Sequence, residues 1–476
     1  MSVFSPKRIQ TLHADYGFWL LTVAIFIGLI VPVLIREGMF MDGQQYACVA
    51  KNLANGNGSF WFPVLSDTWW KAGSANFMEH PPLVYGLQSI CFKVFDNSIY
   101  SERIYSFLTA IFHLILISKI WKTIYKSNNY SWYPVFLLLT MPIISWSFQN
   151  NIMENTMSVF TLVTMLFLLK SLTQKKYKHI FSGVAGLTLF LAFLSKGVPA
   201  LFPLSAGIIY LLLFRPIERK QFITSQIIFF AIPIIIFLVL LSFPIPAESL
   251  GFYFKERLLY RISNEPTVGN RLFIVKNLIQ QMAIPIMIVF LLLVFRKNHI
   301  SQIQKRYVLF FTLIGLSASI PLLLTSVQRS FYLTPSLPFF ALALGILSRN
   351  AVMELTQRIK HKKIIVISGA LLLIFSIIIS AVSIGKYSRD KDMILDVKTM
   401  GKIIPNNTTI CISKDIYQEW NLQMYLLRYH DISIKPGCTD ESYLIIKKVP
   451  KQSIPVDFES TNLDLFRYEL LKKKNI

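Results

Sequence analysis

Three carboxylates stand apart in this chain of 476 residues, where Asp and Glu together number 25. Asp42 lies in Met41-Asp42-Gly43-Gln44-Gln45-Tyr46, Glu79 in Met78-Glu79-His80-Pro81-Pro82-Leu83, and Glu154 in Asn151-Ile152-Met153-Glu154-Asn155. Each falls at or near the end of a long apolar run. Carboxylates so placed can act as a general base, bind a cation, or orient the hydroxyls of a sugar. The ordinary alternative is that Asp42 and Glu154 only complement helix N-termini. Lys196, Arg257, Arg261 and Arg329 supply cations between other apolar runs, and a phosphate suits both residue types. Contact with lipid headgroups, or salt bridges to Glu248 and Glu256, is the plainer reading of the same cations. His80 beside Glu79 is a lone imidazole without a spaced partner, so a divalent metal on Asp42, Glu79 and His80 is a candidate resting on a weak signal.

The elements that must position these groups are set by composition. The chain is 54% hydrophobic and 15% charged, against about 25% charged in soluble domains. Mean hydropathy is +0.51 and there are 38 Phe. The apolar runs are continuous rather than alternating, which excludes a membrane β-barrel and predicts an all-α polytopic membrane protein. Runs fall near 18–35, 103–121, 132–148, 156–171, 180–195, 197–214, 222–243, 273–295, 307–325, 331–348 and 364–384. Lysines and arginines fill alternate breaks: Lys119 to Lys126, Lys170 to Lys178, Arg215 to Lys220, Arg296 to Arg306 and Arg349 to Lys363. One topology puts all five inside, with a cytoplasmic N-terminus, and leaves 36–102 and everything after 385 outside. The net charge of +23 is thereby accounted for without nucleic acid, for which no motif is present.

Parity requires that Pro82–Phe95 not cross alone. Leu83, Leu87, Ile90 and Val94 recur at helical spacing, so this segment reads as an amphipathic helix along the outer interface. The count is then roughly 11 spans, rising to about 13 if another helical crossing is hidden near 96–110. The expected organisation is a membrane domain over 1–385, with a polar outer loop at 36–102, and a small soluble α/β domain over 386–476. Within the latter, Thr409–Ser413, Asp431–Ile434 and Tyr443–Lys447 read as strands and Tyr417–Arg428 as a helix. Met41–Leu83 reads as a long loop without regular structure of its own, a kind of segment that tends to be functional. Trp61, Phe62, Trp69 and Trp70 read as an interfacial aromatic belt. In an oxidising compartment, Cys411–Cys438 or Cys48–Cys91 could form disulfides.

In this order and spacing the motifs resemble those of the GT-C membrane glycosyltransferases, in the branch of the aminoarabinose transferases and protein O-mannosyltransferases. The residues that carry the resemblance are Asp42 with Tyr46 after the first span, Glu79-His80-Pro81-Pro82-Leu83, Glu154, Ser195-Lys196-Gly197, and Arg329 with Tyr332-Leu333-Thr334-Pro335. The resemblance implies a hexosyl- or pentosyltransferase that takes its sugar from a polyprenyl-phosphate donor. Transfer would occur on the extracytoplasmic face of a bacterial inner membrane, with inversion, to an unidentified lipid, glycan or protein. By that likeness Asp42 is the catalytic acid/base residue, Glu79 and Glu154 support it, and Lys196 contacts the lipid phosphate. Tyr46, His80, Arg257, Arg261, Arg329 and Tyr332 are further substrate-binding candidates. Gly43 follows Asp42 where relatives commonly have Glu, and Gln45 and His80 stand where the aminoarabinose branch has basic residues, which argues against that branch's donor and lipid A acceptor. The rival classes are a secondary transporter, which would place its polar site near the bilayer midplane among paired repeats, and a catalytically silent membrane scaffold.

Overall fold

The computed structural model describes residues 6–68, 76–127, 129–259, 266–295, 299–438, 440–449 and 454–474. They form two compact units. One comprises Met1–Leu34, Glu79–Val84 and Ser106–Ile384, and the other Ile35–Met78, Tyr85–Tyr105 and Gly385–Ile476. The division therefore does not follow a single break near 385, since much of the outer polar segment packs with the C-terminal residues.

The first unit is a helical membrane bundle. Among the described residues, nine helices are long and apolar enough to cross a bilayer, from Asp15–Leu34 to Lys362–Val382. The two other apolar runs expected to cross form broken helices. Residues 132–149 form Trp132–Leu139 and Pro142–Gln149, interrupted at Thr140 because Pro142 lacks the amide that would continue the ladder. Gln281 repairs the break by accepting a hydrogen bond from the Ile143 amide at 2.8 Å. Pro199 and Pro203 likewise tighten Val198–Ser205 into a 3-10 turn ahead of Ala206–Phe214. Helix packing relies on small residues, as it does where lipid removes the hydrophobic drive. The helix Pro6–Leu34 lies along Lys362–Val382, where Ser376 Oγ donates to the Ala24 carbonyl at 3.0 Å. Met153–Thr173 and Lys178–Lys196 are joined by Thr164–Thr188 and Ser171–Ser182 hydroxyl bonds of 3.0 and 2.7 Å.

In the second unit Met41–Ala54 is helical, which corrects the expectation of an irregular loop. Ala47 and Ala50, one turn apart, are buried against Phe92, so the segment carries an apolar face that its many polar residues hide from composition. The helix packs on Trp420–His430. Lys51, only 1% exposed, donates to the last carbonyls of that helix, Leu427 at 2.8 Å and Arg428 at 3.2 Å. It also pairs with Asp431 at 2.6 Å. A buried lysine thus caps a helix C-terminus where orphan carbonyls and the negative end of the dipole meet.

Leu83–Phe95 is the expected helix, with Ile90, Val94 and Phe95 exposed and Tyr85, Gln88 and Phe92 buried. Trp61 and Phe62 are half-buried, while Trp69 and Trp70 lie outside the described residues. The C-terminal sheet has strands β1 (Thr409–Ile412), β2 (Ser433–Pro436), β3 (Tyr443–Lys447), β4 (Phe458–Ser460) and β5 (Tyr468–Lys473), in the order β2-β1-β3-β5-β4. β1 is parallel to β2 and β3, and β5 is antiparallel to β3 and β4. Alternation in β1 sends Ile410 and Ile412 into one core with Leu422, Tyr425 and Leu426. Cys411 faces the other side and is disulfide-bonded to Cys438, their Cα atoms 5.4 Å apart. Cys48 and Cys91 are free thiols, and burial pushes the Cys48 thiol up to about 12.

Candidate functional site

In the helical unit, Met153–Thr173 starts and Lys178–Lys196 ends at the same place. Glu154 falls in the first turn of the one and Lys196 in the last turn of the other, each charge complementing its helix dipole. The two side chains form an ion pair, with the carboxylate fully buried and the lysine 9% exposed. The Lys196 ammonium also lies 4.7 Å from the centre of the Tyr332 ring, a cation–π contact strengthened by the dry surroundings.

After Lys196 the chain reverses at Gly197, whose φ of +88° is a left-handed conformation that glycine adopts at no steric cost. Space demands glycine as well, because a Cβ here would lie 1.8 Å from the Tyr253 hydroxyl oxygen. That hydroxyl accepts from the Val198 amide at 3.2 Å and donates to the Lys196 carbonyl at 3.5 Å, fixing both sides of the reversal. Burial pushes the Tyr253 phenol up to about 12, so it stays neutral.

Tyr253 opens a π-helical segment, Tyr253–Leu259, that carries Arg257. Arg257 pairs with Glu79 at 2.8 Å, each side chain 11% exposed. Arg257 thus meets a carboxylate from a segment far away in sequence, where the plainer reading of the outer cations has the nearby Glu248 and Glu256 as partners. The Arg257 Nε donor is buried and has no acceptor among the described residues.

Glu79, His80, Glu154, Lys196, Tyr253, Arg257 and Tyr332 all line one cavity of about 150 Å³. A second cavity of about 280 Å³ is apolar, lined by Phe190, Phe193, Val198, Leu201, Phe237 and Phe254 among others. The chain passes from the polar to the apolar cavity between Lys196 and Val198, and again between Tyr253 and Phe254. Not every candidate meets there. Arg329 is exposed, ahead of the short helix Ser330–Leu333, and does not line the cavity. Arg261 lies outside the described residues. Asp42 and Tyr46 belong to the second unit, Asp42 in the first turn of Met41–Ala54 and Tyr46 buried with its ring 6.1 Å from that of Tyr85. Tyr253 was not singled out by sequence reasoning; an aromatic in an aromatic-rich break gives no spacing signal.

The residues do not fit a metal here. Glu79 is engaged by Arg257 and Glu154 by Lys196. Among the described residues the one cluster of three potential ligands is Cys411, Cys438 and Asp440, whose cysteines are oxidised to a disulfide. Two cations and an aromatic hydroxyl beside an apolar cavity are suited instead to an amphiphilic anion.

The architecture has known counterparts. The chain is similar to the crystal structures of ArnT from Cupriavidus metallidurans, bound to undecaprenyl phosphate (TM-score 0.65, 10% identity, covering 95% of this chain and 97% of that one) and in the apo state (0.65, 11%, 96% and 98%). It is also similar to the archaeal oligosaccharyltransferase AglB from Archaeoglobus fulgidus, in complex with an inhibitory peptide and a dolichol-phosphate (0.56, 12%, 88% and 64%). The fold is therefore the GT-C fold. A sequence search of curated proteins gives no match. Residues 79–243 match the family model of the dolichyl-phosphate-mannose-protein mannosyltransferases. The chain thus has the GT-C fold, and the segment that matches the family model holds Glu79, Glu154 and Lys196 of the cavity.

Proposed function

We propose that the chain moves a hexosyl or pentosyl unit from a polyprenyl-phosphate donor to a hydroxyl acceptor at the extracytoplasmic face of a bacterial inner membrane. The single observation that carries this reading is the pairing of the two cavities. Lys196, Arg257 and Tyr332 stand in the polar one, and an apolar cavity begins one or two residues away along two separate segments. A phosphate joined to a hydrocarbon chain is the ligand that such a junction suits.

The chemistry follows from the charges. In transfer with inversion, the acceptor oxygen attacks the anomeric carbon, the carbon–oxygen bond to phosphate breaks, and the bonding pair leaves on the phosphate. The leaving group becomes a monoester of greater negative charge, so it needs fixed cations more than a proton. Lys196 and Arg257 are held by carboxylates before the phosphate arrives and can share their charge with it as it departs. The acceptor's proton goes to a carboxylate; by the likeness of its motif that residue is Asp42, with Glu79 and Glu154 holding the cations. No metal is required by this scheme. The oxidised Cys411–Cys438 pair favours an oxidising compartment for the second unit.

The test is transfer by the purified protein in liposomes, with a panel of undecaprenyl-phosphate sugars and a membrane extract as acceptor source. Release of undecaprenyl phosphate that Asp42→Asn abolishes in a folded protein supports the reading. Equal release by that variant removes Asp42 from the reaction, and no release from any donor counts against the transfer itself.

A further inference from the structure

The helical unit holds a second junction of charge and grease, formed by residues the transfer reaction does not use. Between Trp19, Val23, Phe26 and Ile27 of the first helix and Phe107, Ile111, Leu114 and Ile115 of Ser101–Tyr125 runs an apolar groove of about 580 Å³. At its end it shares Lys119 and Lys122 with a polar cavity of about 470 Å³, also lined by Thr123, Lys126, Lys170 and Thr173. Lys119 and Lys122 lie near the end of Ser101–Tyr125, Lys126 follows directly after it, and Lys170 joins them from the last turn of Met153–Thr173.

Among the described residues no carboxylate lines either cavity. Four ammonium groups around one cavity repel one another, and an anion between them relieves that repulsion. The positive-inside rule explains lysines in this break. It does not call for them to converge on the mouth of an apolar groove. Thr123 and Thr173 hydroxyls supply neutral donors beside them. Lys170 is restrained, its ammonium 5.0 Å from the Phe167 ring centre and 5.6 Å from that of Phe181. The same helix carries Glu154 in its first turn, so this site lies about 24 Å from the transfer cavity along the axis, most of the roughly 30 Å hydrocarbon core away.

We propose that this is a binding site for an anionic phospholipid of the inner leaflet. Its phosphate sits among Lys119, Lys122, Lys126 and Lys170, and one acyl chain lies in the groove between the first helix and Ser101–Tyr125. Charge complementarity selects the headgroup, and the shared lysines make groove and headgroup pocket one site.

The experiment is native mass spectrometry of the full-length protein titrated with phosphatidylglycerol or phosphatidylcholine. The expected result is preferential retention of phosphatidylglycerol, weakened about tenfold or more by Lys119→Gln with Lys122→Gln, since each lysine at a membrane surface contributes on the order of a factor of five. Ile111→Trp, which fills the groove and keeps every charge, should weaken retention as well, while Lys176→Gln with Lys178→Gln should leave it unchanged. Equal retention of the two lipids, or equal loss in the Lys176/Lys178 variant, overturns the site. Displacement of phosphatidylglycerol by undecaprenyl phosphate at equal mole fraction overturns the phospholipid as its occupant.

Discussion

Glu154 and Lys196 face each other as a buried ion pair, from the beginning of one membrane helix to the end of another. Removing one partner of such a pair leaves the other charge uncompensated, at a cost of about 3–5 kcal/mol, whereas removing both costs far less. Glu154→Gln should therefore lower the thermal midpoint in detergent more than Glu154→Gln combined with Lys196→Met. Equal destabilisation by the two would show that the pair is not coupled.

Gly197 is fixed by both conformation and space. Gly197→Ala should destabilise by roughly 1–3 kcal/mol from backbone strain alone, with the Tyr253 contact adding to it. Because Tyr253 also holds the Lys196 carbonyl, undecaprenyl phosphate affinity should fall with stability. Thermal unfolding and lipid binding measured on one preparation would check both; unchanged affinity would separate the hinge from the cation.

In the second unit, Lys51→Met deprives Asp431 and two helix-terminal carbonyls of their cation. A loss of about 3–5 kcal/mol is expected, as for any buried pair broken on one side. Limited proteolysis of the C-terminal residues should accelerate in proportion, and wild-type proteolysis rates would contradict the capping role.

The Cys411–Cys438 bond closes a loop with a sequence separation of 27, for which chain entropy predicts about 3.5 kcal/mol. Reduction, or Cys411→Ser with Cys438→Ser, should lower the stability of the second unit accordingly. Thiol counting on unreduced protein should find Cys48 and Cys91 alone.

His430 gives the second unit a pH dependence. Burial holds its imidazole below the ordinary histidine value, and the Lys51 ammonium adds to this. The folded state then resists a proton that the unfolded chain takes up near pH 6.5. Stability should be full above that pH and fall as pH drops below it, until the folded imidazole also titrates. His430→Asn should flatten denaturation midpoints between pH 7 and 5; an unchanged slope would assign it to other groups.

Long apolar runs and alternating lysines made the helical class readable, since lipid forces those features on any spanning chain. The site was readable in part, because Glu79, Glu154, Lys196 and Arg257 are charges where charges are costly. Their pairing was not, as it depends on where segments 42 to 178 residues apart come to rest. Met41–Ala54 escaped because its two core alanines are too small to register as an apolar stripe, and its helix is held by contacts with residues after 420. The strands β4 and β5 escaped for other reasons: β4, at the sheet edge, has only 3 residues, and β5 breaks the alternation with two adjacent leucines and two adjacent lysines.

The central claim is that the cavity of Lys196 and Arg257 receives a lipid-linked phosphate. It is tested most directly by the affinity of undecaprenyl phosphate for the wild-type protein, Lys196→Gln and Arg257→Gln in nanodiscs. The account predicts binding by the wild type and a loss of about tenfold or more in each variant, in line with about 1.5–3 kcal/mol for a hydrogen bond to a charged group. Equal affinity across the three proteins, each shown to be folded, would contradict it.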